Sequence, residues 1–95
     1  MNLPAWEKTM KNHLRLLDID DLILMRIILE GGQFVDVANR LALTPPAISH
    51  RIKKISEIFE GNLFNVKKNR RRDLSAKGLD IFKKCNEALK VLEAV

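Results

Sequence analysis

Residues 34–59 read FVDVANRLALTPPAISHRIKKISEIF, and the fold turns on this stretch. Phe34, Val37, Ala38 and Leu41 recur at i, i+3, i+4 and i+7, the apolar face of a short helix over about 34–42. After a three-residue connection, Thr44-Pro45-Pro46 marks a new helix start. Thr44 can cap it, and Pro45 falls at the first helical position, where a missing N–H costs nothing. Ile48, Ile52, Ile55 and Phe59 then share one side of a helix that runs to about residue 59. Ser49, His50, Lys53, Lys54 and Glu57 take the other side. Two short helices joined by a tight turn, the second polar and basic outward, form the helix-turn-helix pattern.

Upstream, Asp18 and Asp20 are helix-start residues for a segment over about 19–30, which is apolar nearly all round and so needs cover on two sides. Gly31-Gly32 ends it. Before it, Leu3, Trp6, Met10, Leu14 and Leu17 follow helical spacing, predicting an amphipathic helix over about 3–15 with Trp6 as a packing anchor. Downstream, Gly61-Asn62 breaks the second helix of the pair. Leu63 to Val66 and Asp73-Leu74 then flank the basic run KKNRRR at 67–72, a β-hairpin wing in outline. Ser75 caps a last helix over about 76–93, whose Phe82, Cys85, Leu89 and Leu92 are spaced 3, 4 and 3 in a heptad-like seam. The predicted architecture is mainly α: a three-helix core with a hairpin wing, a long final helix and an extra helix in front.

The 95 residues suffice for one domain. Net charge is +5, yet residues 1–50 carry −1 and residues 73–95 carry none, so residues 51–72 hold +6. A basic patch this localised is the footprint of a surface that meets a polyanion, with a solvated loop as the bland alternative. No apolar run approaches the ~20 residues of a membrane span, and charged residues interrupt any signal-like start. The single cysteine, Cys85, has no disulfide partner in the chain and fits a reducing compartment, so a cytoplasmic location is expected.

Taken in order, these features resemble the N-terminal domain of LysR-type bacterial transcription regulators from about Ile19 to Leu92. The Gly-Ser-Phe-like turn of that family is here Gly32-Gln33-Phe34. The two Ala and a Leu of the next helix are Val37-Ala38 with Leu41. Thr44-Pro45-Pro46-Ala47-Ile48-Ser49-His50 stands where the family reads Ser-Gln-Pro-Ala-Leu-Ser-Arg. Leu63-Phe64 opens the wing, and Leu74-Ser75-Ala76-Lys77-Gly78 closes it in place of Leu-Thr-x-x-Gly. The chain departs from the pattern at Pro45, Gln33, Ile55-Ser56, Gly61 and Val66, and its first 17 residues are an extension that most members lack. These departures bear on which DNA sequence is preferred.

The resemblance implies a DNA-binding unit over 18–74, a linker or dimerisation helix over 75–95, and an extension over 1–17. It implies a homodimer on a pseudo-palindromic duplex site, a tetramer in a full-length regulator, and a small-molecule effector bound only by a further domain. The chain's end at the linker helix is expected of a domain cut from such a regulator, with a stand-alone relative that lost its sensor as the alternative. Physically, a helix fits the major groove and offers its N-terminal residues to base edges. The candidate contacts are therefore Thr44, Pro45, Pro46, Ser49, His50, Lys53 and Lys54. The wing cations Lys67, Lys68, Arg70, Arg71 and Arg72 suit phosphates or an adjacent minor groove. Phe82, Cys85, Leu89 and Leu92 are the candidate dimer seam. No phosphate-cradling glycine loop, metal-ligand cluster or nucleophile with a paired base is visible, so no enzyme, cofactor or metal is expected. The rivals are a winged-helix module whose basic wing meets an acidic protein, and a regulator of another winged-helix family such as the MarR type.

Overall fold

The computed structural model describes residues 2, 4–9, 13–65 and 71–95, apart from the side chains of Lys8, Thr9 and Arg72. Among the described residues five helices follow one another: α1 (Ala5–Thr9), α2 (Ile19–Leu29), α3 (Phe34–Leu41), α4 (Pro45–Ile58) and α5 (Ala76–Glu93). Single 3-10 turns lie at Leu14–Leu16 and Arg71–Asp73. The core is built around α2, with Leu24, Met25 and Ile28 fully buried. One side of α2 is covered by α3 and α4 through Val37, Ile48, Ile52 and Ile55, and the other by α5 through Phe82, Cys85 and Leu89. An all-round apolar helix is stable in water only when covered in this way.

The helix ends are closed as the sequence suggests. Asp18 accepts the Asp21 N–H at 2.9 Å while Asp21 accepts the Asp18 N–H at 3.0 Å, a reciprocal capping box. At the other end Gly31, at φ 96°, lets its own N–H reach Ile28 O and the Gly32 N–H reach Ile27 O, a Schellman closure. Thr44 caps α4 through the Ala47 N–H at 3.3 Å, with proline in the first turn. Ser75 caps α5 through the Gly78 N–H at 2.9 Å. The helix-turn-helix corner is made by Ala42 in the left-handed region at φ 52°, which allows the Leu43 N–H to reach Ala38 O.

Between α4 and α5 the chain forms the base of a hairpin. Phe64 and Leu74 make an antiparallel bridge, flanked by Asn65 N–H to Asp73 O at 2.7 Å and Ser75 N–H to Leu63 O at 2.9 Å. The two short strands expected here shrink, among the described residues, to this bridge. The returning arm is wound into the Arg71–Asp73 turn, with Leu74 N–H on Arg71 O, and extends only from Leu74. Edge-to-face ring pairs Phe34–Phe64 and Phe64–Phe82 tie the hairpin base to α3 and α5.

Two expectations are corrected. The N-terminal helix covers Ala5–Thr9, and residues 14–16 form a separate 3-10 turn; the segment 10–12 lies outside the described residues. Trp6 is 61% exposed and is not part of the core. The supposed dimer seam is the second correction. Phe82, Cys85 and Leu89 are buried against this chain's own α2, and Leu92 alone of the four is exposed. A covered α2 requires them. Arg26 fastens the same pair of helices further along, its guanidinium donating to Asn86 Oδ1 at 2.7 Å and to Glu93.

Candidate nucleic-acid interface

At about 100° per residue, Ile48, Ile52 and Ile55 lock one side of α4 into the core, and Pro46, Ser49, His50 and Lys53 fall on the opposite side. All four are exposed, as are Thr44 and Pro45 at the helix start. Ser49, His50 and Lys53 have no side-chain hydrogen bond or ion pair among the described residues. The start of α4 turns a positive dipole end outward but offers no free helical N–H, because Pro45 and Pro46 have none and Thr44 accepts those of Ala47 and Ile48. Glu57 and Glu60 make the far end of the same face acidic, so an anion is favoured only along the first turns.

Lys54 does not join that face. It lies on the flank toward α2, half-buried, with Nζ 2.6 Å from Asp21 Oδ2 and 3.6 Å from Asp18 Oδ2. Arg51, to which the sequence pattern alone assigns no role, lies one turn before it. Its Nη1 donates to Asp18 at 2.9 Å and to Asp21 at 2.9 Å, and its Nη2 stands 3.7 Å from Asp20. Burial pushes the Asp18 carboxyl up, but the Asp21 N–H, the Arg51 hydrogen bond and the charges of Lys54 and Arg51 outweigh it. The carboxyl is held below its ordinary 3.8. The signal for this cluster was present: three aspartates at 18–21, and an i, i+3 cation pair beside the apolar stripe instead of opposite it.

Of the wing cations, Lys67, Lys68 and Arg70 lie outside the described residues, as does the Arg72 side chain. Arg71 is exposed, yet its Nη1 donates to Leu29 O at 3.2 Å, satisfying a carbonyl at the C-terminal end of α2. It thus braces the hairpin base against the core. Cys85 is buried, and desolvation pushes its thiol up to about 11, so it is a packing group with little thiolate character. Among the described residues no group of His, Cys, Asp and Glu is placed to hold a metal ion, and no helix is long and apolar enough to cross a membrane.

No curated protein and no solved structure gave a match to the chain. A family profile, that of the bacterial regulatory helix-turn-helix proteins of the lysR family, matches residues 19–79, which is more than half of the chain. The match spans α2, the α3–α4 pair, the hairpin base and the first turn of α5, including the exposed face of α4. The family is one of DNA-binding transcription regulators and not of enzymes. With its helix-turn-helix geometry and this match, the chain belongs to the LysR family of bacterial regulators and carries its DNA-binding domain.

Proposed function

We propose that the chain binds a specific pseudo-palindromic duplex DNA site as a homodimer, with α4 in the major groove. One observation carries this reading. The first three turns of α4 hold Pro46, Ser49, His50 and Lys53 outward and uncommitted, on a helix whose other side is fixed in the core. Ser49 and His50 read base edges, and Lys53 meets phosphate or guanine. Thr44, Pro45 and Pro46 set how closely the helix start approaches the backbone. The wing cations Lys67, Lys68, Arg70 and Arg72 follow phosphates or the neighbouring minor groove, and Arg71 holds the base of the wing.

The dimer forms through the outer flank of α5. Ile81, Ala88 and Leu92 lie beside the buried stripe and remain half-buried or exposed. An effector acts through a domain outside residues 1–95, and the protein works in the cytoplasm on the nucleoid.

Selection of bound sequences from random duplex DNA tests the reading directly. A consensus with two related half-sites is expected. Ser49→Ala and His50→Ala should reorder the preferred bases, since a mismatched base pair costs about 1–3 kcal/mol. Engagement of about six phosphates by a dimer gives a slope of log K against log salt near about −5. A slope shallower than about −2, with no enriched consensus, would instead indicate a protein-interaction module.

A further inference from the structure

The recognition helix carries more positive charge than it offers. Arg51, Lys53 and Lys54 are closely spaced cations on α4, but only Lys53 is exposed. The side chains of Arg51 and Lys54 are 21% and 22% exposed, and both point to the turn that starts α2. That turn holds three carboxylates against the two cations. Asp21, fully buried, gives one oxygen to Arg51 Nη1 at 2.9 Å and the other to Lys54 Nζ at 2.6 Å. Asp18 adds Arg51 at 2.9 Å and Lys54 at 3.6 Å, and Asp20 adds Arg51 at 3.7 Å.

We propose that Asp18, Asp20 and Asp21 withhold Arg51 and Lys54 from DNA, so that α4 discriminates by its exposed polar groups and not by charge. The proposal rests on the DNA-binding reading above. A cation that meets phosphate strengthens binding to every sequence alike, because the backbone carries no sequence information. Two further phosphate-seeking cations on the recognition helix would lift non-specific binding and lower the ratio of specific to non-specific affinity. The aspartates therefore determine specificity without touching DNA. A simple fold-stabilising ion pair would affect melting and leave that ratio unchanged.

Binding of the full chain to its selected duplex and to a scrambled duplex, across a salt series, tests this. Lys53→Met should flatten the slope of log K against log salt by about 0.9 for each phosphate that Lys53 neutralises. Lys54→Met should leave it unchanged. Asp21→Asn should steepen the slope on both duplexes and reduce the specificity ratio several-fold. Adding Lys54→Met to Asp21→Asn should reverse part of that gain, a coupling that general electrostatics would not produce. Asp18→Asn is run in parallel, because Asn caps a helix as well as Asp and the position is exposed. It should shift slope and ratio in the same direction by less, and it replaces Asp21→Asn if that variant does not fold. Equal flattening by Lys53→Met and Lys54→Met overturns the proposal, as do wild-type slopes and ratios in folded aspartate variants. If the wild-type chain binds neither duplex, the DNA-binding reading falls and this proposal with it. Binding by the wild type with equal lysine effects removes this proposal alone.

Discussion

Gly78 sits in the first turn of α5, directly against the Leu63 backbone. A Cβ at this position would fall well inside contact distance of the Leu63 carbonyl oxygen, a backbone atom that cannot swing away. The crowding follows from how the hairpin base is tied down. Ser75 N–H bonds to Leu63 O, Ser75 Oγ donates to Asn62 O, and the Gly78 N–H returns to Ser75 Oγ. The Ser75-x-x-Gly78 spacing read from the sequence is thus a cap followed by a close approach. Gly78→Ala should destabilise the domain by about 1–3 kcal/mol, the usual cost of overpacking. The check is a thermal melt, in which each kcal/mol moves the midpoint by roughly 4–8 °C at this size. Asp18 gives a second residue-scale outcome. Its carboxyl, faced by Arg51 and Lys54 from α4 and by Asp20 and Asp21 from α2, titrates below its ordinary 3.8 in the folded chain. A depressed carboxylate contributes stability that is present above the unfolded value and lost as pH falls through the folded one. Stability should therefore drop as pH goes below about 4, and Asp18→Asn should lose less over that range in urea titrations.

Among the elements, the helix-turn-helix corner carries visible strain. Ala42 adopts φ 52° with a Cβ, a conformation that costs an L-residue roughly 1–2 kcal/mol. Ala42→Gly relieves it, against the larger backbone freedom that glycine gives the unfolded chain, for a net gain of up to about 1 kcal/mol. The expected result is a higher urea midpoint at unchanged m-value, with unchanged DNA preference because Ala42 lies outside the exposed face of α4. This corner was legible as a turn from the end of the 34–41 periodicity and the Thr44-Pro45 start, but its left-handed residue was not, since Ala gives no local signal for it. The helices were legible for related reasons. Thr44 and Ser75 announce caps, and the predicted spans 45–59 and 76–93 are found as Pro45–Ile58 and Ala76–Glu93. The commitment of Lys54 to Asp18 and Asp21 is different. It joins residues more than thirty positions apart, and helical periodicity within α4 places a side chain on a flank without saying what lies there.

At the scale of the whole molecule, what covers α5 decides how the chain can associate. A domain of 95 residues buries a modest fraction of its surface, so each apolar face matters to stability. The 3, 4, 3 spacing of Phe82, Cys85, Leu89 and Leu92 identifies an apolar stripe, but a stripe alone does not say whether the same chain or a second copy covers it. Here α2 is apolar all round and takes the first three residues as its own cover, with Arg26 bonding to Asn86 and Glu93 alongside. For the proposed dimer this leaves the adjacent flank, where Leu92 is 53% exposed near the open end of α5. The two leucines should therefore fail differently. Leu89→Asp puts a charge into a site only 5% exposed and should unfold the monomer, costing well over about 2 kcal/mol. Leu92→Asp should keep the wild-type melting behaviour of a folded chain while shifting sedimentation from dimer to monomer. DNA binding should weaken with it, because a monomer engages one half-site and forgoes the second as an intramolecular step. A folded Leu92→Asp variant that still sediments as a dimer would place the interface away from this flank of α5. A wild-type chain that sediments as a monomer at every concentration tested would mean that residues 1–95 do not dimerise on their own.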